Sequence, residues 1–219
     1  MVKIDMEDRH DYDVIAGWVG AGSRVLDLGC GDGSLLAHLK AARQIAGYGI
    51  ERDAERVTAC VQNHVNVLQI DLEQGLAGFE DAQFDYVIMS LSLQAVHNTE
   101  RILDEMLRVG REAVVSFPNF GYWRHRISIN EGHMPVSTSL PYAWYNTPNV
   151  RFFTMADFEQ LCEKRGIEVL ERAAFDEDRR IDLDPNNFAS VALYRLGSGT
   201  LSTSASQAND SETGHNPVP

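Results

Sequence analysis

The sequence predicts a single α/β domain: a doubly wound, mostly parallel seven-stranded sheet with an antiparallel edge over residues 1–196, and a disordered tail over 197–219. Three observations predict it. Short apolar runs alternate with segments whose apolar residues recur at helical spacing, the pattern of repeated strand–helix units that pair into a parallel sheet covered on both faces. The first run, Val25-Leu26-Asp27-Leu28, passes directly into glycines at alternate positions, Gly29, Gly31 and Gly33. The next two runs end in acids, Glu51 and Asp71, which a parallel sheet would bring to one edge.

The elements follow in order. Asp11 to Val19 reads as a short helix leading into the first strand. After Gly33, Leu35, Leu36 and Leu39 share a helical face. Tyr48-Gly49-Ile50-Glu51 closes the second strand, and Asp53 is an N-cap for a helix with Val57, Cys60 and Val61 on its core face. Val65 to Ile70 is the third strand, closed by Asp71. The turn Glu80-Asp81-Ala82-Gln83 precedes a fourth, Phe84 to Met89. Asn98 caps a helix carrying Ile102, Leu103, Met106 and Leu107, with Gly110 as its C′ residue. Ala113 to Phe117 is the fifth strand. Thr154-x-x-Asp157 resembles a capping box and opens a helix with Phe158, Leu161 and Cys162 on one face and Gly166 at its end. Two last strands are expected near Glu168 to Ala173 and Phe188 to Leu196. Residues 197–219 are rich in Gly, Ser, Thr, Asn and Pro, a composition that cannot offset its ordering entropy by burial.

Bulk properties narrow the function. The 19 basic against 32 acidic residues leave a net charge of −13, which lacks the electrostatic footprint of a protein that binds through phosphate contacts, so nucleic acid is excluded as a partner. Neither an apolar signal core nor a membrane-length apolar run is present, which predicts a cytoplasmic protein away from membranes. Cys30, Cys60 and Cys162 form neither a C-x-x-C pair nor zinc-type spacing, so structural thiols and no metal site are expected.

The glycine stretch points to a nucleotide-type cofactor. Glycines there let the chain turn sharply and a ligand approach the backbone. Asp27 lies two residues before the first glycine, where a dinucleotide-binding loop carries an apolar residue, and Ser34 occupies the place of the third glycine of G-x-G-x-x-G. Both departures favour S-adenosylmethionine over a nicotinamide cofactor. A carboxylate at the tip of strand two, Glu51, suits two ribose hydroxyls, and Asp71 can accept from an adenine amino group. The expected cofactor set is Asp27, Gly29, Cys30, Gly31, Gly33, Glu51, Arg52, Asp71, Leu72 and Ser90. In this order these features resemble the class I methyltransferases, a Rossmann-like fold.

No catalytic residue declares itself. Methyl transfer from a sulfonium chiefly requires an acceptor held close and in line. Strand four ends Ser90-Leu91-Ser92-Leu93, without the Asn/Asp-Pro-Pro-aromatic signature of amino-group methyltransferases, and His97 is only a weak candidate beside the acceptor. The segment 117–149 is too long and aromatic for a plain connector. Within it Trp123, Arg124, Arg126 and Trp144 are expected to touch substrate or partner, being anchor residue types.

The strings S-F-P-N-F-G-x-W-x-x-R, G-x-M-P-V and L-P-Y-x-W-Y-x-T-P-N, with Leu93-Gln94-Ala95, Arg108-Val109-Gly110-Arg111 and Asp157-Phe158-Glu159-x-Leu161-Cys162, resemble the methionine biosynthesis protein MetW family. The resemblance implies a methyltransferase-like fold in methionine biosynthesis. It implies a protein that binds S-adenosylmethionine or S-adenosylhomocysteine and serves as accessory or regulatory partner of a homoserine O-acyltransferase, MetX. The alternative is an active methyltransferase on a small carboxylated metabolite held by Arg124 or Arg126. A homodimer is left open.

Overall fold

The computed structural model describes residues 10–199. An N-terminal helix α1 (His10–Trp18) leads to β1 (Arg24–Leu28), α2 (Ser34–Arg43), β2 (Ala46–Glu51), α3 (Ala54–Gln62) and β3 (Asn66–Gln69). Then follow β4 (Phe84–Ser90), α4 (Thr99–Val109), β5 (Gly110–Pro118), α5 (Trp123–Asn130) and α6 (Met155–Arg165). The chain closes with β6 (Ile167–Asp176), β7 (Arg179–Arg180), the single turn α7 (Pro185–Phe188) and β8 (Val191–Ser198). Among the described residues no helix is long and apolar enough to cross a membrane.

One sheet carries all eight strands in the order β3-β2-β1-β4-β5-β8-β6-β7, with β1 to β5 parallel and β8 antiparallel between β5 and β6. The expected seven strands are present, and the eighth is the two-residue β7, a hairpin arm turned back from β6 at Glu177 and Asp178. Two apolar layers flank the sheet. On one face Ile15, Leu35, Leu39 and Cys60 pack on Val25, Ile88 and Val114, so α1, α2 and α3 lie together. On the other, Leu103 and Met106 of α4 and Phe158 of α6 pack on Leu26, Val87 and Val115. Alternate strand residues feed alternate layers, which is why the central strands read as continuous apolar runs.

Local signals set the helix ends. Asp53 accepts from the Glu55 and Arg56 amides, Asn98 from Arg101, and Thr154 with Asp157 forms the full capping box. Gly166 closes α6 in the left-handed region at φ 66°. Arg108 ties the turn before β4 to α4, donating to the Phe79 and Leu76 carbonyls and to Asp81 and Glu105.

Four expectations are corrected. Gly110 is not a left-handed C′ residue: at φ −107° it passes straight from α4 into β5. Glycine is required there by space, since a Cβ would lie 2.7 Å from Val87 Cγ2 and 2.9 Å from the Glu112 carbonyl oxygen. Val61 is 62% exposed rather than on a core face, because α3 lies at the β3/β2 end of the sheet and buries just Cys60. Residues 123–130 form a helix inside what reads as loop; α5 lacks an apolar stripe and buries only His125, so periodicity could not reveal it. The last strand begins at Val191, after the α7 turn, and runs through Ser198, two residues into the stretch expected as tail; from residue 200 that tail lies outside the described residues.

The late start of β8 traces to Asn119, fully buried in the turn after β5. Its amide donates to the carbonyls of Asn186 (2.9 Å) and Ala189 (2.8 Å), and its Oδ1 accepts from the amides of Gly121 (3.0 Å) and Met155 (3.3 Å). One side chain thereby joins α6, α7 and the post-β5 turn. Asn119→Ala should cost at least about 3 kcal/mol in urea unfolding, since each buried group left without a partner costs about 1–3 kcal/mol. Asn119→Asp should be no milder, because a carboxylate cannot donate to the two carbonyls.

Candidate functional site

The parallel register assembles the acids. Asp27 pairs with Gly49 and Leu28 with Ile50, while Glu51 stands opposite Gln69, two residues before Asp71. The carboxyl ends of β1, β2 and β3 therefore meet at one edge, beside the β1/β4 junction where strand order reverses and α/β folds bind ligands.

The glycine loop crosses this edge with Gly29, Gly31 and Gly33 all left-handed, at φ 73°, 59° and 81°. At Gly29 an added Cβ would fall 3.2 Å from Ser92 Cβ, and at Gly33 3.0 Å from Val65. Glu51, 6% exposed, holds the loop: Oε2 accepts from the Gly31 amide (3.1 Å), and Oε1 from the amides of Arg52 (2.8 Å) and Asp53 (3.0 Å). A carboxylate has about four acceptor positions, so three amides leave room for a ligand hydroxyl. Asp27 is 2% exposed beneath the loop. Asp71 caps a 3-10 turn, Leu72–Gln74, by accepting from the Glu73 amide at 3.0 Å.

An open cavity of about 1120 Å³ lies over this edge. Gly29, Glu51, Arg52, Asp71 and Leu72 line it, so half of the expected cofactor set shares one wall. Cys30 does not: its sulfur turns under the loop to within 3.7 Å of Cys60 Sγ. Burial pushes both thiols up, and the Cys162 thiol up to about 12, so all three stay protonated structural groups. Ser90 does not line the cavity either, because its hydroxyl pairs with Ser116 (3.2 Å) inside the sheet. Asp27, Gly31 and Gly33 shape the loop from outside the cavity lining. Ser92, outside the expected set, does line the cavity beside Gly29 and reaches the Leu28 carbonyl at 3.0 Å.

His97 points away. Exposed at the rim, its amide and Nδ1 both meet Glu73 Oε1, at 2.9 and 3.1 Å. That amide bond, outweighing burial, holds the Glu73 carboxyl below its ordinary value. Arg124 and Arg126 are absent from the cavity wall: both are exposed on α5, with the Arg124 guanidinium 5.3 Å from the Trp123 ring centre. Trp144 and Tyr145 stand 73% exposed on the far side of the cavity's cover. Arg52 and Arg56 are the arginines on the lining, both at the β2 side, while Glu177 and Asp178 face the opposite end.

The sequence reading missed the His125–Ser137 pair. His125 is buried; a carbonyl can only accept, so Nδ1–H donates to Asn119 O (3.2 Å) and neutral Nε2 accepts from Ser137 Oγ (2.9 Å), a residue of the cavity wall. Only tertiary structure brings 125 and 137 together, although His125 falls inside the S-F-P-N-F-G-x-W-x-x-R string and Ser137 directly follows G-x-M-P-V.

The family model for methionine biosynthesis protein MetW matches residues 9–196. The chain belongs to the MetW family. The bifunctional methionine biosynthesis protein MetXA/MetW of Rhodopirellula baltica is 39% identical over 196 residues, which are 85% of this chain and 32% of that protein, so the chain spans about a third of the relative's length. Among solved structures, S-adenosylmethionine-dependent methyltransferases from Mesorhizobium loti (TM-score 0.64, 14% identity, 85% of this chain and 97% of that one) and Thermotoga maritima (TM-score 0.63, 19% identity, 86% and 88%) share the fold. The fold class and the methionine-biosynthesis family read from the motifs both stand.

Two outcomes follow from the site. Burial holds the His125 imidazole below its ordinary value of 6.5, against the opposing pull of the Asn119 carbonyl and of Asp176. Its neutral form therefore stabilises the fold above pH 6.5, and that contribution is lost as pH falls through the depressed folded value. The melting temperature should drop on acidification from pH 6.5, and His125→Gln should flatten that part of the profile. Glu51→Ala should release the glycine loop, lowering stability by about 1–3 kcal/mol in chemical denaturation, because the amides of Gly31, Arg52 and Asp53 lose a charged acceptor.

Proposed function

We propose that the chain binds S-adenosylmethionine or S-adenosylhomocysteine in this cavity and acts, by protein contact in the cytoplasm, as accessory or regulatory partner of a homoserine O-acyltransferase. In this reading Asp27 acts from beneath the loop toward the methionine part, Glu51 takes the ribose and Asp71 the adenine amino group. The donor set supports it. Gly29 presents left-handed backbone without a side chain to the cavity, Glu51 retains acceptor capacity beyond its three amides, and Ile50, Ile70 and Leu72 offer an apolar bed for a base. When bound, the cofactor would bring an activated methyl group.

The observation that carries the accessory role is the Rhodopirellula baltica relative, in which MetXA and MetW are named as one bifunctional chain. The geometry weighs against the alternative of a methyltransferase for small carboxylated metabolites. Such an acceptor needs a cation, yet the end of the cavity away from Arg52 and Arg56 carries Glu177 and Asp178, and Arg124 and Arg126 lie outside it.

Two measurements test the proposal. Co-expression with homoserine O-acyltransferase should yield a complex whose homoserine acylation exceeds that of the acyltransferase alone; equal rates would refute the accessory role. In calorimetry Asp71→Asn, which keeps the N-cap, should preserve the melting temperature while weakening S-adenosylhomocysteine binding by about 1 kcal/mol or more, as expected for a lost charge-assisted hydrogen bond.

A further inference from the structure

The cavity's cover is the segment between α5 and α6, and it has two faces. Inward it presents Ser137, Ser139, Pro141, Tyr142, Pro148 and Asn149 to the cofactor edge. Outward it carries Trp144 and Tyr145, edge to face at 5.8 Å and each 73% exposed, with Met134 and Phe152 beside Trp144. A shallow crevice on this outer side is lined by Met134, Pro135, Tyr142, Trp144, Asn149 and Phe152. Tyr142 and Asn149 belong to both linings.

The segment is pinned at its ends. Near its start Ser137 donates to buried His125, and the Leu140 amide closes a turn on Ser137. Near its end the Gln94 carbonyl accepts from the Val150 and Arg151 amides, each at 3.0 Å, and the Arg151 side chain donates to the His97 carbonyl at 2.5 Å. Gln94 itself lines the cavity. Between the pins the hydrogen bonds found among the described residues are local, Asn146 N–H to Ala143 O and Asn149 N–H to Thr147 Oγ1. A stretch held at both ends and loosely bonded between is set by what lies against its two faces.

We propose that residues 133–152 form a strap whose outer aromatic face docks the homoserine O-acyltransferase and whose inner face senses the cofactor, so that each ligand strengthens binding of the other. This rests on the function proposed above and adds the surface and the coupling. The occupant is the acyltransferase because the MetXA/MetW relative joins that pair in one protein, and exposed Trp and Tyr are the residue types that carry interface energy. The sign follows from ordering. A cofactor against Tyr142 and Asn149 fixes the strap before the partner arrives, so the partner no longer bears that entropic cost. Linkage then requires the acyltransferase to raise cofactor affinity by the same factor.

The test uses the full chain and the intact acyltransferase, with S-adenosylhomocysteine as the probe. Calorimetry should show the complex at least fivefold tighter with saturating S-adenosylhomocysteine than without it, and S-adenosylhomocysteine bound tighter by an equal factor once the acyltransferase is present. Trp144→Ala and Tyr145→Ala sit on exposed side chains and should fold normally by circular dichroism. They should keep the free chain's S-adenosylhomocysteine affinity within twofold, yet weaken the complex at least tenfold. A complex whose affinity ignores the probe would overturn the coupling and leave the accessory role standing. Tight complexes with both variants would overturn the docking face. No complex in either condition would remove the accessory role and this inference with it.

Discussion

The floor of the cavity depends on the Glu51 carboxylate and the three amides it accepts. Three left-handed glycines make the loop after β1 adaptable, and adaptability alone would leave it without a defined shape. The hydrogen bond from Gly31 to Glu51 ties that loop to the tip of β2, while those from Arg52 and Asp53 tie the same carboxylate to the start of α3. Charge-assisted bonds at a nearly buried site are among the stronger ones available to a fold. One acid therefore fixes the floor of the cavity and leaves acceptor capacity for a ligand, so in the proposed function the binding group and the scaffold group are the same residue.

A second organising residue, Asn119, does for the cover what Glu51 does for the floor. It satisfies carbonyls from the α7 turn and amides from the post-β5 turn and α6. Its own carbonyl then accepts from His125, which holds Ser137. The cover is thus hung from the sheet through a chain of buried hydrogen bonds, supplemented by buried Leu140 and the Phe120–Phe152 contact. That construction frees its aromatic residues to face outward, Trp144 and Tyr145 most of all.

Much was legible from the chain. Caps at Asp53, Asn98 and Thr154 operate through bonds a few residues long, so local sequence carries them in full. The acids at strand ends were legible because a parallel sheet leaves little choice about which end of each strand meets the ligand edge. Cys30 and Ser90 were assigned to the site because they stand beside it in sequence; their side chains turn into the core and the sheet instead, a matter of pleat and neighbour contacts. Arg124 and Arg126 drew attention as cations in an acidic chain, yet charge pattern cannot say which side of a helix looks into a cavity.

By itself the sequence determined the fold class, the family and the acidic edge of the site, because periodicity, capping and glycine conformation are short-range physics. Tertiary structure alone decided that α5 lies within the long segment, that His125 meets Ser137, and that Tyr142 and Asn149 line both the cavity and the outer crevice. Those relations join residues whose approach is set by buried hydrogen bonds across the fold, and neither spacing nor composition encodes such partners.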